Sequence, residues 1–226
     1  MMAFLVICVL AYLIGSIPSS VWVGKIYKGI DVREHGSGNA GATNTFRVLG
    51  WQAGVVVVLM DFIKGFTVTV YISKLAIYLG GLPEYFTGEN EVVMRIIVGI
   101  IAVVGHTLPI WAQFRGGKGM LTAGGMLYGV EPISITITIL SFILVLASTR
   151  YASLASLISA TLYPIILLVM KFFLGYTINP LVLVIAFLLC GFLIFKHKTN
   201  ITRLLNGTET KAVSYTHLTL PTIYSV

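Results

Sequence analysis

Between positions 3 and 195 the chain is a succession of apolar runs of helical length, parted by short stretches that hold its charges, prolines and glycines. A hydrocarbon core about 30 Å thick asks for roughly 20 apolar residues per helical crossing. Lipid admits only helices or closed barrels, because backbone groups there must be satisfied internally. The runs predict an all-α, polytopic integral membrane protein with about seven transmembrane helices, near residues 3–23, 51–78, 92–111, 120–130, 133–147, 154–174 and 181–195. The fourth is short. From Lys118 to Val130 a helix rises only ~20 Å, so tilt or neighbouring residues must complete it.

Composition agrees. Of 226 residues, 57% are hydrophobic and only 15 basic and 8 acidic, and mean hydropathy is +0.95. So few charges cannot clothe a soluble fold of this size, which excludes an ordinary cytosolic enzyme. Cys8 and Cys190 lie in apolar runs and read as packing residues.

Short cytoplasmic loops are enriched in Lys and Arg. With the N-terminus outside and the C-terminus cytoplasmic, seven spans put Lys25, Lys28, Arg33, Arg47, Arg115, Lys118, Arg150, Lys196, Lys198, Arg203 and Lys211 on the inner side. The outer side receives Lys74, Arg95 and Lys171, with Glu84, Glu89, Glu91 and Glu131. A cleaved signal peptide is disfavoured, because positive charge follows the first run instead of preceding it. Residues 1–211 are expected to form one integral membrane domain. The Thr/Ser-rich residues 212–226 read as a disordered tail or an assembly scar.

Polar clusters fall on the inner side. The first, Gly36-Ser37-Gly38-Asn39-Ala40-Gly41-Ala42-Thr43-Asn44-Thr45-Phe46-Arg47, suits an anion-binding nest of backbone N–H groups ringed by hydroxyls and a guanidinium. It also spells G-x-G-x-x-G, but a dinucleotide fold needs a preceding strand, and an apolar span stands there. The plain alternative is a loop of turn formers. The second cluster holds Gly105-His106-Thr107-Leu108-Pro109 and Phe114-Arg115-Gly116-Gly117-Lys118-Gly119. Glycines ahead of a helix N-terminus beside Lys and Arg make a second anion site. The Walker A pattern is not met, since Gly119 follows Lys118 and Ala112 stands where the first glycine would. Topology charge beside packing glycines is the competing account.

The third cluster, Thr149-Arg150-Tyr151-Ala152-Ser153, sets a lone Arg between apolar runs. The fourth runs from His197 through Asn200 and Arg203 to Glu209. If the last helix continues, His197 and Asn200 share one face; solvation of an interfacial His is the alternative. Asp61 and Lys64, three apart inside the second span, are expected to pair as structural support, although a proton relay would use the same carboxylate. His106 is expected to hydrogen-bond a helix end. No His-x-x-x-x-Asp box, no G-x-S-x-G elbow and no acidic cluster for Mg²⁺ stands beside these loops. A metal-free basic site for one or two phosphate-bearing substrates remains.

In order, Gly36-Ser37-Gly38-Asn39 through Arg47, Gly105-His106 to Gly119, and His197-x-x-Asn200-Ile201-x-Arg203 resemble the bacterial acylphosphate:glycerol-3-phosphate acyltransferase (PlsY) family over nearly the whole chain to about Glu209. The resemblance implies a seven-helix enzyme of the bacterial inner membrane with a cytoplasmic active site. Its reaction moves a fatty acyl group from acyl phosphate to the sn-1 hydroxyl of glycerol 3-phosphate, giving lysophosphatidic acid and phosphate, the first step of phospholipid synthesis. By resemblance Ser37, Lys118, His197 and Asn200 are catalytic. Gly36, Gly38, Asn39, Asn44, Arg47, Gly116, Gly117, Gly119, Arg150 and Ser153 hold substrate phosphates, and Glu209 anchors the tail against a basic residue. No cofactor, metal or nucleic acid is called for. The partners implied are the two substrates and the bilayer, and contact with the enzyme that makes acyl phosphate stays open. The alternative function is a transporter of small organic phosphates, which would also use basic loops and an intramembrane charge.

Overall fold

The computed structural model describes residues 2–79 and 90–212; the expected outer-side residues Glu84 and Glu89 lie outside them. Among the described residues the chain is all-helical: α1 Met2–Gly15, α2 Ser19–Lys28, α3 Ala42–Leu49, α4 Trp51–Thr67, a π-turn Val68–Ile72 leading into α5 Ser73–Tyr78, α6 Glu91–Thr107, α7 Met120–Val130, α8 Pro132–Thr149, α9 Ala152–Phe172, α10 Pro180–Lys196 and α11 Lys198–Leu205.

Four helical stretches, beginning at Trp51, Glu91, Pro132 and Ala152, are each long and apolar enough to cross a bilayer. Two bent pairs, α1 with α2 and α10 with α11, bring that number to six. α7 has only 11 residues, a rise of about 16 Å, and is too short by itself. It survives because it is walled in by protein. Its Gly125 stands so near the Phe62 carbonyl of α4 that a Cβ would come within 1.9 Å of the oxygen, and Gly65 of α4 meets the Thr122 carbonyl in the same way, at 2.2 Å. Glycine on both faces lets the backbones touch, the close approach on which membrane helix pairs rely. Met126 and Leu127 then join Ile96, Val103, Tyr163, Leu167 and Ala186 in the main apolar cluster.

Two features depart from expectation. The first run is broken at Ser16-Ile17-Pro18, bends by 40°, and continues past residue 23 to Lys28. Pro18 removes an amide and excludes the preceding residue from helical geometry. Residues 42–49, expected as loop, form α3, whose Ala42, Thr45 and Leu49 are buried on one face.

The helices run so that residues 29–50, 108–119, 149–151 and 197–212 gather at one end of the bundle. Asp61 and Lys64 do pair, at 2.8 Å, with side chains 2% and 5% exposed. Lys64 Nζ also donates to the Ile17 carbonyl at 2.8 Å, satisfying a group freed by the helix break. The intramembrane charge is therefore matched inside the protein, as burial in lipid demands.

Candidate active site

The first loop is shaped by one buried side chain. Asn44 Oδ1 accepts the Ser37 amide at 2.8 Å, while its Nδ2 donates to the carbonyls of Val32 and His35 at 2.7 and 3.0 Å. Both donors of Asn44 are thus used on backbone, so it acts on a ligand only through the loop. Gly36 and Gly38 turn the chain with φ of +61° and +71°. The expected nest of free amides needs correction. The N–H groups of Ser37, Gly38 and Gly41 donate to Asn44 Oδ1, His35 O and Asn39 O. What this loop offers an anion is the exposed Ser37 side chain, Asn39, Arg47 of α3 and the first amides of α3, which has no side-chain cap.

Arg33 staples the first loop to the second. Its guanidinium is gripped by Asp31, with Nη2 at 2.6 Å, and Nη1 donates to the Ala112 carbonyl at 2.8 Å. Sequence reasoning counted Arg33 only as a topology charge; the Asp two positions before it was the available signal. Nearer the helices, Gly117 slots between the two loops: a Cβ there would lie 2.3 Å from His106 Nε2 and 2.6 Å from the Ala40 carbonyl. Gly116 is pressed as closely onto the His106 carbonyl, at 2.1 Å. Lys118 follows directly, and Gly119 opens α7 at φ +86° with no side-chain cap. The first amides of α7 are left to an anion or solvent.

Lys118 Nζ donates to Asn200 Oδ1. Asn200 Nδ2 donates to Glu209 Oε1 at 2.7 Å, and the Ser153 hydroxyl donates to the same oxygen at 2.7 Å. One carboxylate oxygen therefore joins the second, third and fourth clusters. The tail is tied down further on: Arg47 Nη2 reaches the carbonyls of Thr210 and Lys211, each at 3.4 Å, and the Ala212 amide donates to the Arg150 carbonyl at 2.8 Å. Glu209 thus bonds neutral donors, where a basic partner was expected; Arg47 takes tail carbonyls instead. Ala212 is held one residue past the expected domain edge.

Arg150 caps α8 at φ +62° with an exposed side chain. Thr149 accepts the Tyr151 amide at 3.2 Å and shapes the turn into α9. α10 ends at His197 and α11 leaves it at 61°, so the last helix does not run on straight. His197 is 4% exposed, and its Nδ1 lies 2.7 Å from the Leu193 carbonyl. A carbonyl only accepts, so Nδ1 bears the proton and Nε2 presents a lone pair.

The electrostatics favour anions. Lys118 is surrounded by Arg203, Arg47 and Lys196 against the single carboxylate of Glu209; burial, more than these neighbours, pulls its ammonium down to about 8. Burial and the Lys118 charge hold His197 at about 4. Burial also lowers Arg47. Arg47 Nε and Glu209 Oε2 are buried without a hydrogen bond in the chain. Of the two, only the Arg47 N–H suits an anion, since an ionised carboxylate oxygen accepts and does not donate.

Known proteins resemble this chain in sequence and in fold. The sequence model of the family described as glycerol-3-phosphate acyltransferase matches residues 5–207. A glycerol-3-phosphate acyltransferase of Salinibacter ruber is 42% identical over 218 residues, covering 95% of each chain. One from Chlorobaculum tepidum is 41% identical over 229 residues, covering 93% of this chain and 97% of its own. The crystal structure of PlsY (YgiH), an integral membrane glycerol 3-phosphate acyltransferase, in its glycerol 3-phosphate form superposes with a TM-score of 0.73 at 34% identity, covering 92% of this chain and 94% of that one. This polytopic helical bundle with a basic polar end, alike in sequence and in fold to these enzymes, belongs to the glycerol-3-phosphate acyltransferase family.

Proposed function

We propose that the chain transfers a fatty acyl group from acyl phosphate to the sn-1 hydroxyl of glycerol 3-phosphate, releasing lysophosphatidic acid and phosphate, the entry step to phospholipid synthesis. It does so within a single domain of residues 1–211 crossing a bacterial inner membrane seven times, N-terminus outside and active site on the cytoplasmic face. The observation that carries this reading is the hydrogen-bonded chain Lys118–Asn200–Glu209–Ser153, with Arg47 bonded to the tail beside Glu209. It sets donors and cations for two phosphate groups at one end of the bundle.

The chemistry suits that equipment. An acyl phosphate is a mixed anhydride whose phosphate leaves readily, so positioning and charge stabilisation carry much of the rate. The glycerol oxygen attacks the acyl carbon, the carbon–oxygen bond to phosphate breaks, and the phosphate departs with the bonding pair, its added charge met by Lys118. His197 Nε2 and Asn200 orient the attacking hydroxyl. An imidazole held at about 4 accepts a hydrogen bond but keeps a proton poorly at neutral pH. The hydroxyl proton therefore ends on a phosphate oxygen. Ser37, Asn39, Arg47, Arg150 and Ser153 serve the phosphates, Gly36, Gly38, Gly116, Gly117 and Gly119 permit the loops their close approach, and Asn44 and Glu209 hold the parts together.

The test is direct. Detergent-purified protein given glycerol 3-phosphate and palmitoyl phosphate is expected to form lysophosphatidic acid only when both are present. Equal product from palmitoyl-CoA, or none from palmitoyl phosphate, refutes the donor assignment.

A further inference from the structure

Behind the loop that carries Lys118 lies a buried polar cluster with no part in the reaction described above. Asp61 Oδ1 accepts the Ser19 hydroxyl at 2.8 Å, meets Lys64 Nζ at 2.8 Å and faces His106 Nδ1 at 3.5 Å. Asp61, Lys64 and His106 are 2%, 5% and 7% exposed. Support of the fold explains the ion pair. It does not explain why an imidazole is added to it at the end of α6, against the first turn of the loop.

The far side of that imidazole supplies the reason. The His106 carbonyl accepts the Gly117 amide at 3.2 Å. Its ring edge occupies the place where a Gly117 side chain would begin, and Gly116 lies against the same residue's carbonyl. The opposite wall is the Ala40 carbonyl of the first loop. His106 is thus the template on which the Gly116-Gly117 step is laid down, with Lys118 one residue beyond. A carboxylate facing Nδ1 favours the tautomer with its proton there and fixes the ring plane, as outer partners do for working histidines elsewhere.

We propose that Asp61 and His106 are positioning residues for acyl transfer: the carboxylate orients the imidazole, and the imidazole sets where the loop delivers Lys118 to the reacting phosphate. The proposal rests on the role given to Lys118 above. A displaced reacting group loses rate steeply, about a hundredfold for a shift of roughly 1 Å. Because the contact serves charge that develops only during transfer, the loss belongs in kcat, with little change in KM.

Purified full-length protein is assayed with palmitoyl phosphate and glycerol 3-phosphate as wild type, His106→Asn, the double variant D61N/K64M, and each again in a Lys118→Arg background. D61N/K64M removes both charges of the pair together, so neither is left buried alone. In each of the two, kcat is expected to fall by about 10- to 100-fold, with KM for both substrates within about threefold. In the Lys118→Arg background the same changes should cost less than about twofold, because the residue they act through is already misplaced. Unchanged kcat per folded protein in D61N/K64M, losses that multiply with Lys118→Arg, or a change confined to KM overturns the proposal. If His106→Asn fails to fold, D61N/K64M decides; if that variant also fails to fold, the cluster serves the fold alone and the proposal falls. Absent wild-type turnover sinks the reaction assignment itself, whereas turnover in wild type with unaffected variants sinks only the positioning pair.

Discussion

In the reaction proposed above, Lys118 is expected to give a pH dependence whose sign follows from its surroundings. Burial first, then the nearby cations, brings its ammonium down to about 8, with only Glu209 pulling the other way. If the charged form stabilises the leaving phosphate, activity is full below that value and lost as pH rises through it. Roughly nine-tenths of Lys118 is charged at pH 7 and about one-tenth at pH 9, so kcat/KM for acyl phosphate should fall about eight- to tenfold across that interval. The other groups in play do not interfere. Phosphate's second ionisation lies at ~6, and His197, held at about 4, is already neutral throughout. The dependence of kcat/KM reports the free enzyme, whereas a bound dianion raises the Lys118 value, so the decline in kcat should begin at higher pH. Product ester is measured by mass spectrometry, because acyl phosphate also hydrolyses unaided. In Lys118→Arg the rate drops but the alkaline decline should vanish, since a guanidinium stays charged above pH 12. A rate that climbs with pH, as a lysine acting as base would give, refutes the reasoning, as does the same decline in Lys118→Arg.

Other consequences are as open to measurement. Glu209→Gln removes the one neighbour that raises Lys118, so the alkaline decline of kcat/KM should move below pH 8; an unmoved profile would place that carboxylate's influence elsewhere. Gly117→Ala should lower turnover at least a hundredfold with helix content unchanged by circular dichroism. One atom the new methyl meets, the Ala40 carbonyl, is backbone and cannot swing aside. Asn44→Ala leaves the Ser37 amide without its partner and takes one of two donors from each of the Val32 and His35 carbonyls, costing about 1–3 kcal/mol and visible as a lower midpoint of thermal unfolding. His197→Ala should lose about 10- to 100-fold in kcat while acyl phosphate still protects the protein from heat; loss of that protection would move His197 to the donor side.

Much of the architecture could be read before any coordinates, because burial in lipid leaves its mark residue by residue. The run from Trp51 to Tyr78 is found as α4, the π-turn and α5 in unbroken succession, and the shortness of the run at 120–130 survives as the 11-residue α7. What the runs do not reveal is that Ser16-Ile17-Pro18, set inside the first, breaks and bends it. α3 went unseen because Ala-Thr-Asn-Thr spells a turn as readily as a helix, and only Phe46 and Leu49 hint at a buried side. The four polar clusters were each visible as composition. Their mutual bonds were not, since Lys118 and Asn200 stand 82 positions apart and Ser153 and Glu209 56, and no local periodicity links such partners. His106 illustrates the same limit: it was expected to hydrogen-bond a helix end, whereas its Nδ1 faces Asp61 at 3.5 Å and its ring edge backs Gly117.

The stretch from Thr208 to Ala212 touches Arg47, Arg150, Ser153 and Asn200, residues drawn from four separate parts of the chain. Those residues follow every apolar helix described here in the order of the chain. A chain cut short at Leu205 would insert, pack its bundle and look sound by any measure of folding, yet would lack the acid that fastens Asn200 and Ser153. If the site works as proposed, competence for transfer depends on a few polar residues outside the lipid, and clipping that segment is expected to silence the enzyme without removing it from the membrane.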